Sequence, residues 1–165
     1  MSWKIFSPTK TTYRGEITPL TDEDLKSLLP ILDTQRQIDG WFDWASFVEQ
    51  HPEYHYYKLK RFGARGILGV IALTYHDGVF VASVETAKHS RHRPENKKRY
   101  INLADIMLSF ASYWGTVNHN DPFVALIPKD NKVNYYKRKF GAKPFGRVYA
   151  LDQSVIRQMI RLYYY

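Results

Sequence analysis

The chain has no cysteine. Disulfides, thiolate metal sites and a cysteine nucleophile are thereby excluded, and a reducing compartment is the natural setting. No apolar run approaches the roughly 18 residues of a membrane-spanning helix, so no span is expected. The opening MSWKIFSPTK lacks the apolar centre of a secretory signal, which makes the cytoplasm the expected location. The six histidines (51, 55, 76, 89, 92 and 119) show no spacing of the H-E-x-x-H kind, so no metal site is expected. There is no internal repeat and no low-complexity linker. The 165 residues read as one domain, 1–165. A chain of this length buries roughly 70% of its unfolded surface, enough for a core without staples.

Acidic side chains are few. Against 24 Lys and Arg stand 16 Asp and Glu, a formal charge of +8. Such a balance favours polyanionic partners: nucleic acid, an acidic protein surface or a phosphorylated cofactor. The 13 tyrosines, 9 phenylalanines and 4 tryptophans suit either of two uses. Aromatic residues among basic ones stack on nucleobases, and they also fill cores.

The stretch from residue 80 to 114 organises the rest. Val79 to Thr86 is rich in β-branched and aromatic residues and reads as a strand. Leu103, Ile106, Met107, Phe110, Ala111 and Trp114 form one apolar stripe at helical period. Asn102 stands at the N-cap position, where its side-chain oxygen can accept an orphan backbone N–H. Between strand and helix lie Lys88, Arg91, Arg93, Lys97, Lys98 and Arg99, with Glu95 the lone acid. A helix N-terminus offers unpaired N–H groups and partial positive charge, so an anion site, for phosphate above all, is one reading. A solvated basic loop before a capped helix is the other. Asp105, in the first turn, complements the helix dipole itself and opposes a phosphate there.

Elsewhere the pattern alternates. Residues 11–20 read as a strand running towards a helix that Thr21 and Asp24 open with a capping-box pair. Leu25, Leu28, Leu29 and Leu32 give that helix a face, which Pro30 interrupts. Residues 41–51 read as a short helix closed by Pro52, and its Trp41, Phe42, Trp44 and Phe47 serve a core or a pocket wall. Residues 54–61 and 66–75 read as strands, and Asp77-Gly78 marks a hairpin into the strand at 79–86. Phe123 to Pro128 is an apolar strand, able to lie parallel to 79–86 through a right-handed crossover. Asp130 to Phe140 is a helix stopped by Gly141. Its Lys137, Arg138 and Lys139, with Lys143, read as an exposed face. Phe145 to Leu151 is a strand. Asp152 to Tyr165 is a helix with Val155, Ile156, Met159, Ile160 and Tyr163 on one side. The order is β-αα-βββ-α-β-α-β-α, a mixed α/β (α+β) sheet: an antiparallel meander joined to a parallel βαβ half.

That order, with a phosphate-suited loop before the central helix, resembles the GNAT superfamily of acyl-CoA-dependent N-acyltransferases. The superfamily signature Gln/Arg-x-x-Gly-x-Gly/Ala is matched in RYINLA by Arg99 and Ala104, with Asn102 in place of the Gly. Upstream, VETAKHS resembles the E-x-A-P-x-N strand end of one GNAT-like branch, with Lys88 for Pro and Ser90 for Asn. Downstream, NYYKRKFGAK resembles that branch's H-Y-x-x-x-L-G-A through Tyr136, Gly141 and Ala142. The resemblance spans roughly residues 54–150.

It implies a probable N-acetyltransferase with acetyl-CoA or another acyl-CoA as donor and an amine as acceptor. Transfer from a thioester needs a neutral amine, a place for the oxyanion and a proton for the leaving thiolate. By resemblance, Val84 and Thr86 hold the pantetheine arm at the end of their strand. Arg99, Tyr100, Ile101, Asn102, Leu103 and Ala104 form the pyrophosphate loop, and Asn131 completes the cofactor contacts. Tyr136 protonates the thiolate, and Glu85 takes the amine's proton, directly or through water. Tyr135 is expected to face elsewhere on the helix. Two further readings stand beside this one: a nucleic-acid-binding module, and a GNAT-fold protein that has lost catalysis and serves in interaction.

Overall fold

The computed structural model describes residues 1–28, 41–87 and 98–165. Pro30, Leu32, Lys88, Ser90, His89, His92 and most of the basic loop lie outside these residues. The described chain forms β1 (Ser2–Phe6), β2 (Thr12–Pro19), α1 (Asp22–Ser27), α2 (Trp44–Gln50), β3 (His55–Arg61), β4 (Ile67–Tyr75) and β5 (Val79–Thr86). There follow α3 (Leu103–His119), β6 (Val124–Leu126), α4 (Val133–Phe140), β7 (Lys143–Phe145), β8 (Val148–Ala150) and α5 (Gln153–Tyr163). The strands make one sheet in the order β1-β2-β3-β4-β5-β6-β8-β7. β1 to β5 pair antiparallel, and β5 and β6 are the parallel pair. The expected meander and parallel crossover are both present.

Two strands arise where the sequence pattern did not announce them. β1 is a five-residue edge strand whose outward backbone groups are covered from afar. Ile101 N–H donates to Phe6 C=O, Tyr165 N–H donates to Ser2 C=O, and Trp3 bridges Tyr164. An open edge is thereby sealed by the loop before α3 and by the chain's last residues. The expected strand at 145–151 is instead a hairpin, β7 and β8, turned by Gly146 at φ 62°. Only three residues pair on each arm, too few for an alternation to stand out.

The sheet has a core on each face. On one, the α3 stripe packs with Ile71, Leu73, Val79, Val81 and Phe140, joined by Ile156 of α5. On the other, Leu28 and Trp44 pack on Val70 and Ala72, beneath α1 and α2. Trp44 is fully buried and Trp41 and Phe47 pack against the same core, whereas Phe42 is exposed. α1 opens with the expected capping box, Thr21 Oγ1 accepting Asp24 N–H while Asp24 accepts Thr21 N–H. Gly141 ends α4 at φ 60°, and Ala142 N–H returns to Tyr136 C=O at 3.2 Å. α3 runs so close to the sheet that a Cβ on Gly115 would run into the Asp121 carbonyl and the Val79 side chain.

Candidate active site

The candidate site lies where β5 and β6 part. They pair parallel over Val79–Val124, Phe80–Ala125 and Val81–Leu126 only. β6 ends there, while β5 continues to Thr86 along β4. The parting coincides with a bulge. Val81 faces Leu73 and Ser83 faces Ala72, so Ala82 is the extra residue. A bulge bends its strand and sharpens the twist, which swings the end of β5 away from β6. Among the described residues no strand pairs with Ala82–Thr86 on the β6 side. The two strands are thus no longer paired beyond Val81 and Leu126.

Beyond this point the bulge sorts the side chains of β5. Val84 packs towards the α3 core. Glu85 points to the opposite face, where its carboxylate accepts Phe42 N–H at 3.0 and 3.1 Å and the Trp44 indole N–H at 3.1 Å. Glu85 thus ties β5 to the approach of α2, contacts that no local pattern announced.

The loop set 99–104 splits among four surroundings. Tyr100 and Leu103 are buried in the main core. The Arg99 guanidinium lies 5.6 Å over the Tyr100 ring and lines a pocket at the β1–β2 turn. Ile101 is exposed, its N–H spent on Phe6. Asn102 stands at the N-cap position of α3, but its side chain makes no capping bond, a correction to the expected role. Its Oδ1 accepts Phe6 N–H at 2.9 Å and its Nδ2 donates to Lys4 C=O at 2.8 Å. Only 2% exposed, it is a strap between α3 and β1. The first intrahelical bond runs from Ile106 N–H to Asn102 C=O. The N–H groups of Leu103, Ala104 and Asp105 therefore precede the ladder and carry the positive end of a 17-residue helix.

Asp105 sits in that same turn, and its carboxylate is not bare. Lys139 Nζ reaches Oδ1 at 2.7 Å, and Tyr163 O–H donates to Oδ2 at 3.2 Å. Burial pulls the Lys139 ammonium down, but Asp105 more than offsets it, and the net pKa is raised. Lys139 is accordingly not part of an exposed face, as its neighbours Lys137 and Arg138 suggested. The 135/139 spacing, one helical turn, is the signal that places Lys139 alongside Tyr135, whose ring lies 5.6 Å away.

Tyr136 packs against the main core from α4, its ring 5.7 Å from that of Phe140. Tyr135 also packs against this core, 5.3 Å from Tyr136, and not on a separate face as expected. Burial first, then the Tyr135 neighbour, push the Tyr136 phenol up to about 12. Its hydroxyl keeps its proton at neutral pH. Asn131 is exposed, in the short 3-10 turn Asp130–Lys132 that leads into α4.

Sheet order, bulge, parting strands and central helix together define the GNAT acyltransferase fold. Solved structures of that fold are similar to this chain. The AtaT–AtaR complex bound to DNA superposes with a TM-score of 0.59 at 14% identity, over 88% of this chain and 99% of that one. The spermidine N-acetyltransferase of Vibrio cholerae, in complex with CoA and spermine, gives 0.55 at 12% identity over 87% and 98%. Apo FdhC, a nucleotide-linked sugar GNAT, gives 0.55 at 11% over 98% and 96%. Identities this low make the likeness one of fold. No protein-family model matches the chain, and no curated protein matches its sequence. Among the described residues no helix is long and apolar enough to cross a membrane.

Proposed function

We propose that this protein is an acyl-CoA-dependent N-acyltransferase, with acetyl-CoA the expected donor and an amine the acceptor. The observation that carries the reading is the parting of β5 from β6 at the Ala82 bulge, on the flank of α3. Its residues fit an extended, phosphorylated donor. The far end of β5, around Val84 and Thr86, suits a pantetheine arm, which takes strand-like hydrogen bonds. The Leu103 and Ala104 N–H groups suit the pyrophosphate, and Ile101 and Asn131 stand exposed at the same end. Lys139 supports this by neutralising the acid that would oppose a phosphate. The donor supplies a thioester carbonyl, open to attack by an amine. Tyr136 holds a proton on a hydroxyl that has no hydrogen-bond partner among the described residues, and it is the proton donor of the reading. Glu85 receives the amine's proton, directly or through water.

A second reading, a GNAT-fold interaction protein without transfer activity, draws on Glu85 and Asn102. Glu85 already accepts three hydrogen bonds from the α2 side, and Asn102 stands where the loop signature has glycine. The AtaT–AtaR complex, of this fold, binds DNA, and the +8 charge keeps nucleic acid among the candidate partners.

The deciding experiment is acetyl-CoA binding by calorimetry, followed by thiol release with a panel of polyamines, amino sugars and peptide amines. Binding with turnover is the expected result. Absence of CoA binding overturns the reading, and binding without turnover across the panel favours the second.

A further inference from the structure

Away from where β5 and β6 part, the β1–β2 turn, the end of β3 and the start of the α3 loop line an open pocket of about 360 Å³. Three cations line it: Arg61, Lys98 and Arg99. Among the described residues no carboxylate lines it, and none of the three pairs with an acid. Two are held in place. The Arg61 guanidinium lies 4.9 Å over the Tyr13 ring, Arg99 lies 5.6 Å over Tyr100, and the two rings meet edge-on at 5.8 Å. Cation–π contacts fix each guanidinium plane while leaving its N–H fork for a ligand. The β1–β2 wall is a preorganised turn. Ser7 N–H donates to Thr11 C=O, Lys10 N–H donates to Ser7 C=O, and Ser7 Oγ accepts Thr11 N–H at 3.2 Å. The Ser7 and Thr9 hydroxyls lie 2.9 Å apart at the pocket wall.

Three like charges around one pocket repel one another, and an anion between them relieves that repulsion. Two forks and an ammonium match the oxygens of a phosphate better than the two oxygens of a carboxylate. A pocket of this size, with its cations gathered at one place, suits a single terminal phosphate more than a run of backbone phosphates. We infer that this pocket is a second anion site, binding the phosphate monoester of a ligand other than the acyl donor. The donor site is more than two strands from Arg61 across the sheet, about 12 Å. The inference does not depend on acyl transfer.

Calorimetric titration of the full chain with inorganic phosphate and with AMP tests it. Both should bind and compete, and Arg61→Gln or Lys98→Gln should each weaken AMP binding about tenfold, because each removes one charge-assisted contact. Any acetyl-CoA affinity should be unchanged in these variants. Circular dichroism of the variants verifies folding. No binding of either probe, or AMP affinity indifferent to both substitutions, overturns the site. Displacement of AMP by CoA also overturns it, because the pocket would then serve the donor's own phosphate. An oligonucleotide with a 5′-phosphate and its 5′-hydroxyl twin identify the source. Preference for the phosphorylated strand, displaced by AMP, supports a nucleic-acid end. Equal binding of the two strands, with AMP displaced by both, overturns the monoester assignment.

Discussion

Lys139 of α4 sets its ammonium 2.7 Å from the carboxylate of Asp105, in the first turn of α3. Asp105 is 4% exposed, so this pair decides whether a buried charge at that helix end is compensated. Replacing a partner of a fully buried pair costs about 3–5 kcal/mol. Lys139 is a third exposed, which allows water to compensate in part. Lys139→Met should therefore destabilise by about 1–3 kcal/mol at pH 7. Urea denaturation measures this, and an unchanged midpoint would show the pair to be immaterial.

The same cluster sets an alkaline limit. Burial and Asp105 push Tyr163 up to about 12, burial and Tyr135 do the same for Tyr136, and Lys139 is raised above 10.5. Groups with raised folded pKa values contribute stability that is complete below their unfolded values. That stability is lost as pH climbs through the folded ones. The melting temperature should hold from neutral pH to about 10 and then fall steeply towards 12. Tyr163→Phe should soften the fall. A flat profile across that range contradicts the cluster's role.

Asn102 should behave as a strap. Asn102→Ala leaves Phe6 N–H and Lys4 C=O without their partners, at a cost of about 1–3 kcal/mol. Loss of a simple N-cap to Gly would cost only a few tenths. Hydrogen exchange at the Phe6 amide should accelerate in the variant with little change in β4. Protection retained at Phe6 would return Asn102 to a capping role.

Tyr136→Phe keeps the ring and removes the hydroxyl. As proton donor, Tyr136 should account for about 10²- to 10⁴-fold of turnover. The expected outcome is a fall in kcat of that order with the acyl-CoA dissociation constant nearly unchanged. Wild-type turnover in the Phe variant reduces Tyr136 to a packing residue.

Glu85→Ala removes the acceptor for Phe42 N–H and the Trp44 indole, and it should cost about 1–3 kcal/mol with a shift in Trp44 emission. Glu85→Gln keeps an acceptor oxygen and should regain most of that stability while losing turnover. A Gln variant with full turnover assigns Glu85 to the clamp alone.

Periodicity and turn chemistry determined much of this protein. The α3 stripe, the meander β3 to β5, the Asp77-Gly78 turn and the Gly141 stop were all legible. Each rests on residues within a turn or a few strand positions of one another, and their spacing carries the information. The Thr21–Asp24 capping box was legible for the same reason. What the sequence left undetermined lies between residues far apart. Asn102 reaches β1 across 96 and 98 residues, and Glu85 meets Phe42 across 43. Lys139 meets Asp105 only because α4 and α3 lie side by side. A side chain's own neighbours do not specify such partners. A capping-type Asn and a strap-type Asn have the same local signature until the edge strand arrives. The tertiary structure alone decided that β1 is a strand, because its outward hydrogen bonds are made by the α3 loop and the chain's final residues. It likewise decided where β5 leaves β6, because the bulge at Ala82 exists only against the register of β4.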